Sequence, residues 1–194
     1  MKKLAIFVSG SGTNMENILQ HIKDGKIQAE AALIISDNPN AQAIQRAQKF
    51  GIQPVIVDRK KFDSKEKFEE GICRQVDQKK IDFIILAGFM RILSPSFVKS
   101  YSGRILNIHP SYLPQFPGAH AIRDAFENKT KLLVSGTGVS VHFVTEQVDG
   151  GPVIKQAHVP IHQDDTLESL EKRIHETEYK LYPEALNLVL DSKS

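Results

Sequence analysis

Short apolar runs alternate along the first half of the chain with segments whose apolar residues recur at helical spacing. Near-continuous apolar runs separated by helices are typical of a parallel sheet that is covered on both faces. The pattern therefore predicts an α/β fold with a doubly wound, mostly parallel sheet. The predicted strands cover residues 4–9, 31–36, 54–58, 82–88 and 104–109. One predicted helix carries Met15, Ile18, Leu19 and Ile22 on its apolar face, and two more cover about residues 41–50 and 63–78.

The pattern changes after Gly118. A helix over about residues 119–128 precedes two β runs, LLVSGTGVSVHFV and VIKQAHVPI, which are joined through Asp-Gly-Gly. Such turns favour antiparallel pairing, so antiparallel strands are expected to extend the sheet in the C-terminal part. A charged helix from about residue 166 to 190 follows, and we expect Pro183 to kink or break it. The whole of residues 1–194 is predicted to form one domain.

Charge and cysteine content narrow the class of protein. The 25 Lys and Arg nearly balance 23 Asp and Glu, and a net charge of +2 gives no reason to expect a nucleic-acid partner. Cys73 is the one cysteine, which excludes a disulfide framework and a cysteine-rich metal site. The first apolar run is too short for a signal peptide, and no run approaches the roughly 18 residues of a membrane span. We expect a cytoplasmic protein with no membrane partner and no metal.

The segment SGSGTN follows the first predicted strand. Gly10 and Gly12 permit a tight turn, and Thr13 and Asn14 then begin a helix. Free N–H groups and the dipole at a helix N-terminus favour a phosphate group. Met15 stands where the dinucleotide fingerprint requires glycine, and the Gly-Lys-Ser/Thr of a P-loop is missing. A phosphate monoester is the favoured ligand, and a plain strand-to-helix turn is the alternative.

Asp37, at the end of the second strand, allows two interpretations. It could bind a nucleotide ribose, or it could form an Asx turn before Asn38 and Pro39. The missing third glycine favours the turn.

The segment NIHPSYLPQFPG follows the fifth strand. Asn107 and His109 are two positions apart, so they share one face of a strand and can address one carbonyl oxygen that gains charge. An imidazolium at such a site needs a nearby carboxylate, and Asp149 is the candidate. The alternatives are a histidine bonded to local backbone in a proline-rich turn, and a simple Asp-Gly turn. In a doubly wound sheet, the ends of strands one, four and five meet at one crevice.

Five segments in this order, SGSGTN, AGFMRILS, NIHPSYLPQFPG, GVSVHFV and VDGGPVI, resemble the phosphoribosylglycinamide formyltransferase family over nearly the whole chain. The resemblance implies a Rossmann-like formyltransferase fold and a one-carbon group transferase. Its reaction transfers the formyl group of 10-formyltetrahydrofolate to the amine of glycinamide ribonucleotide in purine biosynthesis. Asn107 would hydrogen-bond the formyl oxygen and protonated His109 would stabilise the tetrahedral intermediate. Asp149 would favour that protonated form and assist proton transfer through water.

The resemblance also assigns binding residues. It places the substrate phosphate at Gly12, Thr13 and Asn14, and the ribose hydroxyls at Glu178; a solvated helix face is the alternative for Glu178. The N-terminal half would bind the phosphoribosyl group, and the C-terminal half would complete the folate site. His120 and His142 would have supporting roles. The implied folate-binding residues are Lys65, Met90, Arg91, Ile92, Leu93 and Asn107, of which the apolar ones could instead be core residues.

Of three rival functions, a formyltetrahydrofolate hydrolase and a non-catalytic binding module are the alternatives. Methionyl-tRNA formyltransferase carries a further C-terminal domain, for which 194 residues leave no room, and formyltetrahydrofolate hydrolase carries an N-terminal regulatory domain. A non-catalytic phosphoribosyl-binding module would need only SGSGTN. The sequence leaves open whether the protein is a monomer or a homodimer, the isomer of the Leu113–Pro114 bond, and the role of the loop around residues 129–138.

Overall fold

The strands form one mixed sheet in a computed structural model that describes residues 1–128 and 136–192. The strands are β1 (Lys2–Val8), β2 (Ala29–Ser36), β3 (Val55–Ile56), β4 (Phe83–Leu86), β5 (Ile105–His109), β6 (Gly136–Phe143) and β7 (Val153–Pro160). Their order in the sheet is β3-β2-β1-β4-β5-β6-β7. The first five strands pair in parallel, and β6 and β7 are antiparallel. The predicted fold class is confirmed. The loop around residues 129–138 lies mostly outside the described residues.

Helices cover both faces of this sheet. They are α1 (Thr13–Lys23), α2 (Gln42–Lys49), α3 (Lys65–Gln78), α4 (Pro95–Ser100), α5 (Ala121–Glu127) and α6 (Leu167–Asp191). Within the described residues, no helix combines the length and the hydrophobicity of a membrane span.

The buried strand β1 shows why its sequence is apolar at consecutive positions. Leu4, Ile6 and Val8 pack into the core on the side of α1 and α6, whereas Ala5 and Phe7 pack into the core on the side of α3 and α4. Both sets are at most 1% exposed. Successive side chains of a strand point to opposite faces, so a strand between two helical layers must be apolar throughout.

Helix α4 was not among the predicted elements. It is only six residues long, but its start carries a recognisable signal, because Ser94 caps it and Pro95 follows at the first helical position. The Ser94 hydroxyl accepts from the Phe97 N–H at 3.2 Å and also contacts the buried carboxyl of Glu69 on α3. This junction fixes the end of the segment that follows β4.

The prediction was that Pro183 would kink or break the last helix, and the break is wrong, since α6 continues through this residue. A proline lacks the N–H that would bond the carbonyl four residues earlier, here that of Tyr179. The side-chain amide of Asn17 on α1 donates to that carbonyl at 2.7 Å. The lost helical hydrogen bond is therefore replaced from a neighbouring helix.

Candidate active site

Three loops meet at the carboxyl edge of the sheet, where the strand order reverses between β1 and β4. The Ser9 N–H donates to the Gly88 carbonyl at 3.1 Å, and the Met90 N–H donates to the Ser9 hydroxyl at 2.8 Å. These bonds join the loop after β1 to the loop after β4, and the loop after β5 lies beside them. The topological expectation for the three segments is confirmed.

Strands β5 and β6 place two of the predicted catalytic residues. Asn107 lies opposite His142 across the antiparallel pair, and His109 lies opposite Ser140. His142 Nδ1 is 2.9 Å from the carbonyl oxygen of Phe143, and because a carbonyl only accepts, this nitrogen carries the proton. His142 Nε2 lies 3.2 Å from the side-chain amide nitrogen of Asn107. His142 therefore orients Asn107.

The imidazole of His109 is 5% exposed and faces an oxygen atom at each ring nitrogen. Nε2 donates to the carbonyl of Phe116 at 2.8 Å, and Nδ1 lies 3.5 Å from a carboxyl oxygen of Asp149. Both oxygens are acceptors, so the ring lies between a backbone carbonyl and a carboxyl group. The longer contact at Nδ1 is an ion-pair distance rather than a direct hydrogen bond, which leaves this nitrogen able to engage another acceptor.

Asp149 takes a left-handed backbone conformation, with φ of 52°, that aims its carboxyl between two histidines. One oxygen accepts from the Gly118 N–H at 2.8 Å, and the other lies 3.6 Å from His142 Nε2. Burial raises the pKa of this carboxyl, but the contact with His142, the Gly118 N–H and the nearby imidazole of His109 lower it more. The net pKa lies below the usual value, so Asp149 is an anion at neutral pH.

The proline-rich loop after β5 positions both His109 and Asp149, through Phe116 and Gly118. Ser140 Oγ donates to the Ser111 carbonyl at 2.7 Å and accepts from the Leu113 N–H at 3.0 Å. The Leu113–Pro114 bond is cis. Hydrogen bonds to Ser140 of β6 therefore hold this loop in place.

An apolar cavity of about 300 Å³, which we call the donor cavity, adjoins this cluster. Met90 and Ile92 are 77% and 68% exposed, so they are not core residues, whereas Leu93 is 8% exposed. Lys65, at the first position of α3, lies outside the linings of both cavities described for this edge of the sheet. The predicted residues that line the donor cavity are Met90, Arg91, Ile92, Leu93, Asn107, His109 and Asp149.

A second cavity of about 420 Å³, which we call the acceptor cavity, is lined in part by residues 10–14 of the SGSGTN segment. Gly12 has φ of 73°, and a Cβ there would lie 2.5 Å from that of Ala43, so only glycine fits. The amide of Asn14 donates to Glu178, and His175 Nδ1 contacts the same carboxyl oxygen, both at 2.9 Å. Glu178 is 4% exposed, so the alternative of a solvated helix face is wrong. Thr13 and His120 also line this cavity.

The two cavities share part of their walls. The shared residues are Gly88, Met90, Ile108, Pro110 and Ala119. Ligands in the two cavities would therefore meet next to the cluster formed by Asn107, His109 and Asp149.

Both interpretations of Asp37 require correction. Its carboxyl oxygen Oδ2 lies 2.6 Å from Nε of Arg91, and the residue lies outside the acceptor-cavity lining. The Asx turn is formed by the next residue, since Asn38 Oδ1 accepts from the Asn40 N–H at 3.0 Å. Asp37 is therefore an ion-pair partner of the loop after β4.

Comparison with known proteins identifies the family. The family model described as formyl transferase matches residues 2–186. The chain belongs to the formyl transferase family. Phosphoribosylglycinamide formyltransferase of Bacillus subtilis (strain 168) is 40% identical over 190 residues, covering 98% of this chain and 95% of the relative.

Solved structures of the family agree with this fold. The crystal structure of glycinamide ribonucleotide transformylase 1 from Geobacillus kaustophilus is 45% identical, with a TM-score of 0.92, over 98% of this chain and 99% of that chain. Phosphoribosylglycinamide formyltransferase from Bacillus halodurans is 44% identical, also with a TM-score of 0.92, over 98% and 96% of the two chains. The predicted family and the class of one-carbon transferase are confirmed. The roles of individual residues stay predictions.

Sequence reasoning about this formyl transferase missed several supporting groups. The backbone carbonyl of Phe116 and the N–H of Gly118 have no side-chain signature, and their role emerges only from the path of the loop. His142 had been expected only in an unspecified supporting role. The signal for it was the alternation in GVSVHFV, which puts His142 on the same face of β6 as Ser140.

Proposed function

We propose that this protein transfers the formyl group of 10-formyltetrahydrofolate to the amine of glycinamide ribonucleotide, a step of de novo purine biosynthesis in the cytoplasm. One observation carries the proposal. The cluster of Asn107, His109 and Asp149 lies where the apolar donor cavity adjoins a second cavity that is lined by a helix N-terminus and the carboxyl of Glu178. The names of the closely similar relatives agree with it.

The donor cavity suits the pterin ring of the folate. The side chains of Met90, Ile92 and Leu93 would flank the ring, and backbone groups of the same segment, including Arg91, would bind its polar edge. Asn107 would contact the formyl group at the inner end. Lys65 lies outside the cavity lining, so its contact with the glutamate tail would take place beyond the cavity mouth.

The acceptor cavity suits the ribonucleotide. The helix N-terminus at Gly12, Thr13 and Asn14 would bind the phosphate, because unpaired N–H groups and the helix dipole favour an anion there. Glu178 would accept from the ribose hydroxyls. Residues from the N-terminal half thus supply the phosphate site, while the later part of a single domain over residues 1–194 completes the folate site.

The chemistry follows from the arrangement of the cluster. The substrate amine attacks the formyl carbon, a C–N bond forms, and the carbonyl oxygen becomes an oxyanion. The amide of Asn107 and the Nδ1–H of His109 would donate to this oxyanion. Asp149 would receive the proton that the amine loses and pass it through water to the folate nitrogen as the second C–N bond breaks. Both substrates are held in place, so no covalent enzyme intermediate is needed.

The test is the dependence of folate consumption on the acceptor. We expect purified protein to consume 10-formyltetrahydrofolate only when glycinamide ribonucleotide is present, and to be inactive when glycinamide without the phosphoribosyl group replaces it. Consumption without an acceptor would favour a hydrolase. Binding of both ligands without turnover would favour a non-catalytic phosphoribosyl-binding module.

A further inference from the structure

We propose that Asp37 is a positioning residue for the donor cavity, because it holds the wall formed by residues 90–93 in place through Arg91. The identity of the formyl donor rests on the function proposed above. The ion pair between Asp37 and Arg91, which we call the tether, does not depend on that function. Asp37 directly follows β2, and Arg91 follows β4, so the contact joins two strand ends that lie on either side of β1.

The two side chains of this ion pair differ in burial. The Asp37 side chain is 2% exposed, whereas that of Arg91 is 48% exposed. The second carboxyl oxygen of Asp37 is buried and has no hydrogen-bond partner among the described residues. A buried carboxylate needs a compensating cation, so Asp37 is the fixed end of the pair and strongly favours keeping Arg91 in place.

Within residues 1–128 and 136–192, the wall makes few other hydrogen bonds near its middle. Met90 and Ile92, the neighbours of Arg91, are both mostly exposed. At one end the Met90 N–H is bound by Ser9, and at the other end the Ser94 N–H donates to Glu69 at 2.8 Å. Leu93 is buried in the core on the side of α3 and α4, so the ion pair is the described contact that holds Arg91 between Met90 and Leu93, and its loss would loosen the exposed part of the wall.

The turn that carries Asp37 is itself anchored. Asn38 donates through its side-chain amide to the Ser9 carbonyl at 3.2 Å, and the Ser36 hydroxyl accepts from the Asn38 N–H at 3.3 Å. Ser9 thus binds the residue after Asp37 and also the residue before Arg91, while Asp37 binds Arg91 itself. These three contacts link the ends of β1, β2 and β4 in a closed ring. A carboxyl group attached to such a fixed turn can define the position of Arg91.

The consequence concerns one substrate only. Of residues 90–93, Met90 alone also lines the acceptor cavity, and its N–H stays bound to Ser9, while the acceptor loop keeps its own bonds to Glu178 and Ala43. Loss of the tether should therefore raise KM for the formyl donor and leave KM for the ribonucleotide and kcat nearly unchanged.

The first experiment is steady-state kinetics of Asp37→Asn, which removes the charge at almost constant shape. We expect KM for 10-formyltetrahydrofolate to rise roughly five- to tenfold, with kcat and the other KM within about twofold. Arg91→Gln should give a similar rise, and the double variant should be no worse than either single one. Asn40→Ala is the matched control, because this exposed residue of the same turn contributes its backbone N–H. An unchanged donor KM in an active Asp37→Asn would overturn the proposal.

The second experiment needs no substrate. Hydrogen exchange of the free protein, followed by mass spectrometry, should accelerate in residues 88–93 of Asp37→Asn and stay unchanged in residues 9–14. Unchanged exchange in residues 88–93, or acceleration throughout the chain, would overturn the tether. If the wild-type protein has no transferase activity, the proposed function fails instead. Calorimetric binding of tetrahydrofolate then replaces KM, and equal affinity of wild type and variant would overturn the inference.

Discussion

A carboxyl oxygen of Asp149 lies 3.5 Å from Nδ1 of His109, although His109 ends β5 and Asp149 lies in the connection between β6 and β7. The proline-rich loop explains how they meet, since Phe116 binds the other nitrogen of the imidazole and Gly118 binds the carboxyl. The histidine thus has one firmly held nitrogen and one that faces an anion at a longer distance. This arrangement favours a donor that can be directed at a developing negative charge.

We expect His109→Ala to lower kcat by on the order of 10²–10³, because one donor to the oxyanion is lost. Binding of tetrahydrofolate, measured by calorimetry, should stay nearly unchanged, since residues 90–93 form much of the donor wall. The exposed His162 offers a control, and His162→Ala should keep full activity. Turnover by His109→Ala at the wild-type rate would refute its assigned role.

Gly12→Ala should destabilise the protein by more than about 1 kcal/mol and weaken binding of the ribonucleotide. The added Cβ would meet Ala43 at 2.5 Å, and φ of 73° disfavours any side chain. Gly10→Ala is the matched change in the same loop, because a Cβ there meets nothing within 4 Å. Urea unfolding followed by circular dichroism compares the two, and equal stability of both variants would contradict the steric argument.

The sequence was sufficient for most strands and for part of the cluster proposed to be catalytic. Strand β1 is apolar at every inner position, and the two-residue spacing of Asn107 and His109 fixes their shared face without any tertiary information. Chain topology then brings the SGSGTN loop to the same edge. These features depend on local periodicity and on general rules for doubly wound sheets.

The remaining features depend on pairings between distant segments. The position of His142 beside Asn107 follows from the β5–β6 register, and the partner of Asp37 lies 54 residues away along the chain. Local turn rules therefore could not identify Arg91 as that partner. The continuation of α6 through Pro183 is hidden for the same reason, because the donor that replaces its missing N–H belongs to another helix.

Asn17→Ala should destabilise the protein by about 1–2 kcal/mol, because the Tyr179 carbonyl loses its donor beside Pro183. Pro183→Ala restores a backbone N–H to that carbonyl. In a Pro183→Ala background, Asn17→Ala should therefore cost distinctly less, which a double-mutant cycle of urea unfolding measures. Gln20→Ala on the same helix controls for helix propensity, since its side chain makes an exposed bond to Asp24. Additive costs in the cycle would show that Asn17 does not replace the helical bond.

Asp165→Asn should destabilise the protein by an amount that depends on pH. Arg173 on α6 binds both carboxyl oxygens, at 2.7 and 2.8 Å, and this hydrogen bonding holds the pKa of the buried Asp165 well below its usual range. A carboxyl whose pKa is lowered by folding stabilises the protein above its unfolded pKa, about 3.9, and this contribution is lost as the pH falls towards the folded value. The variant should therefore be about 1–2 kcal/mol less stable at pH 7.

The difference in unfolding free energy between wild type and Asp165→Asn should shrink as the pH is lowered from about 5 to 3. Only the wild type has a carboxyl at this position, and that carboxyl takes up a proton when the protein unfolds at low pH. Asp164→Asn makes the same charge change at an exposed neighbour, so it should show little cost at either pH. Urea unfolding across this range measures all three proteins. A difference that stays constant with pH would mean that packing, rather than the charge on Asp165, holds the start of α6.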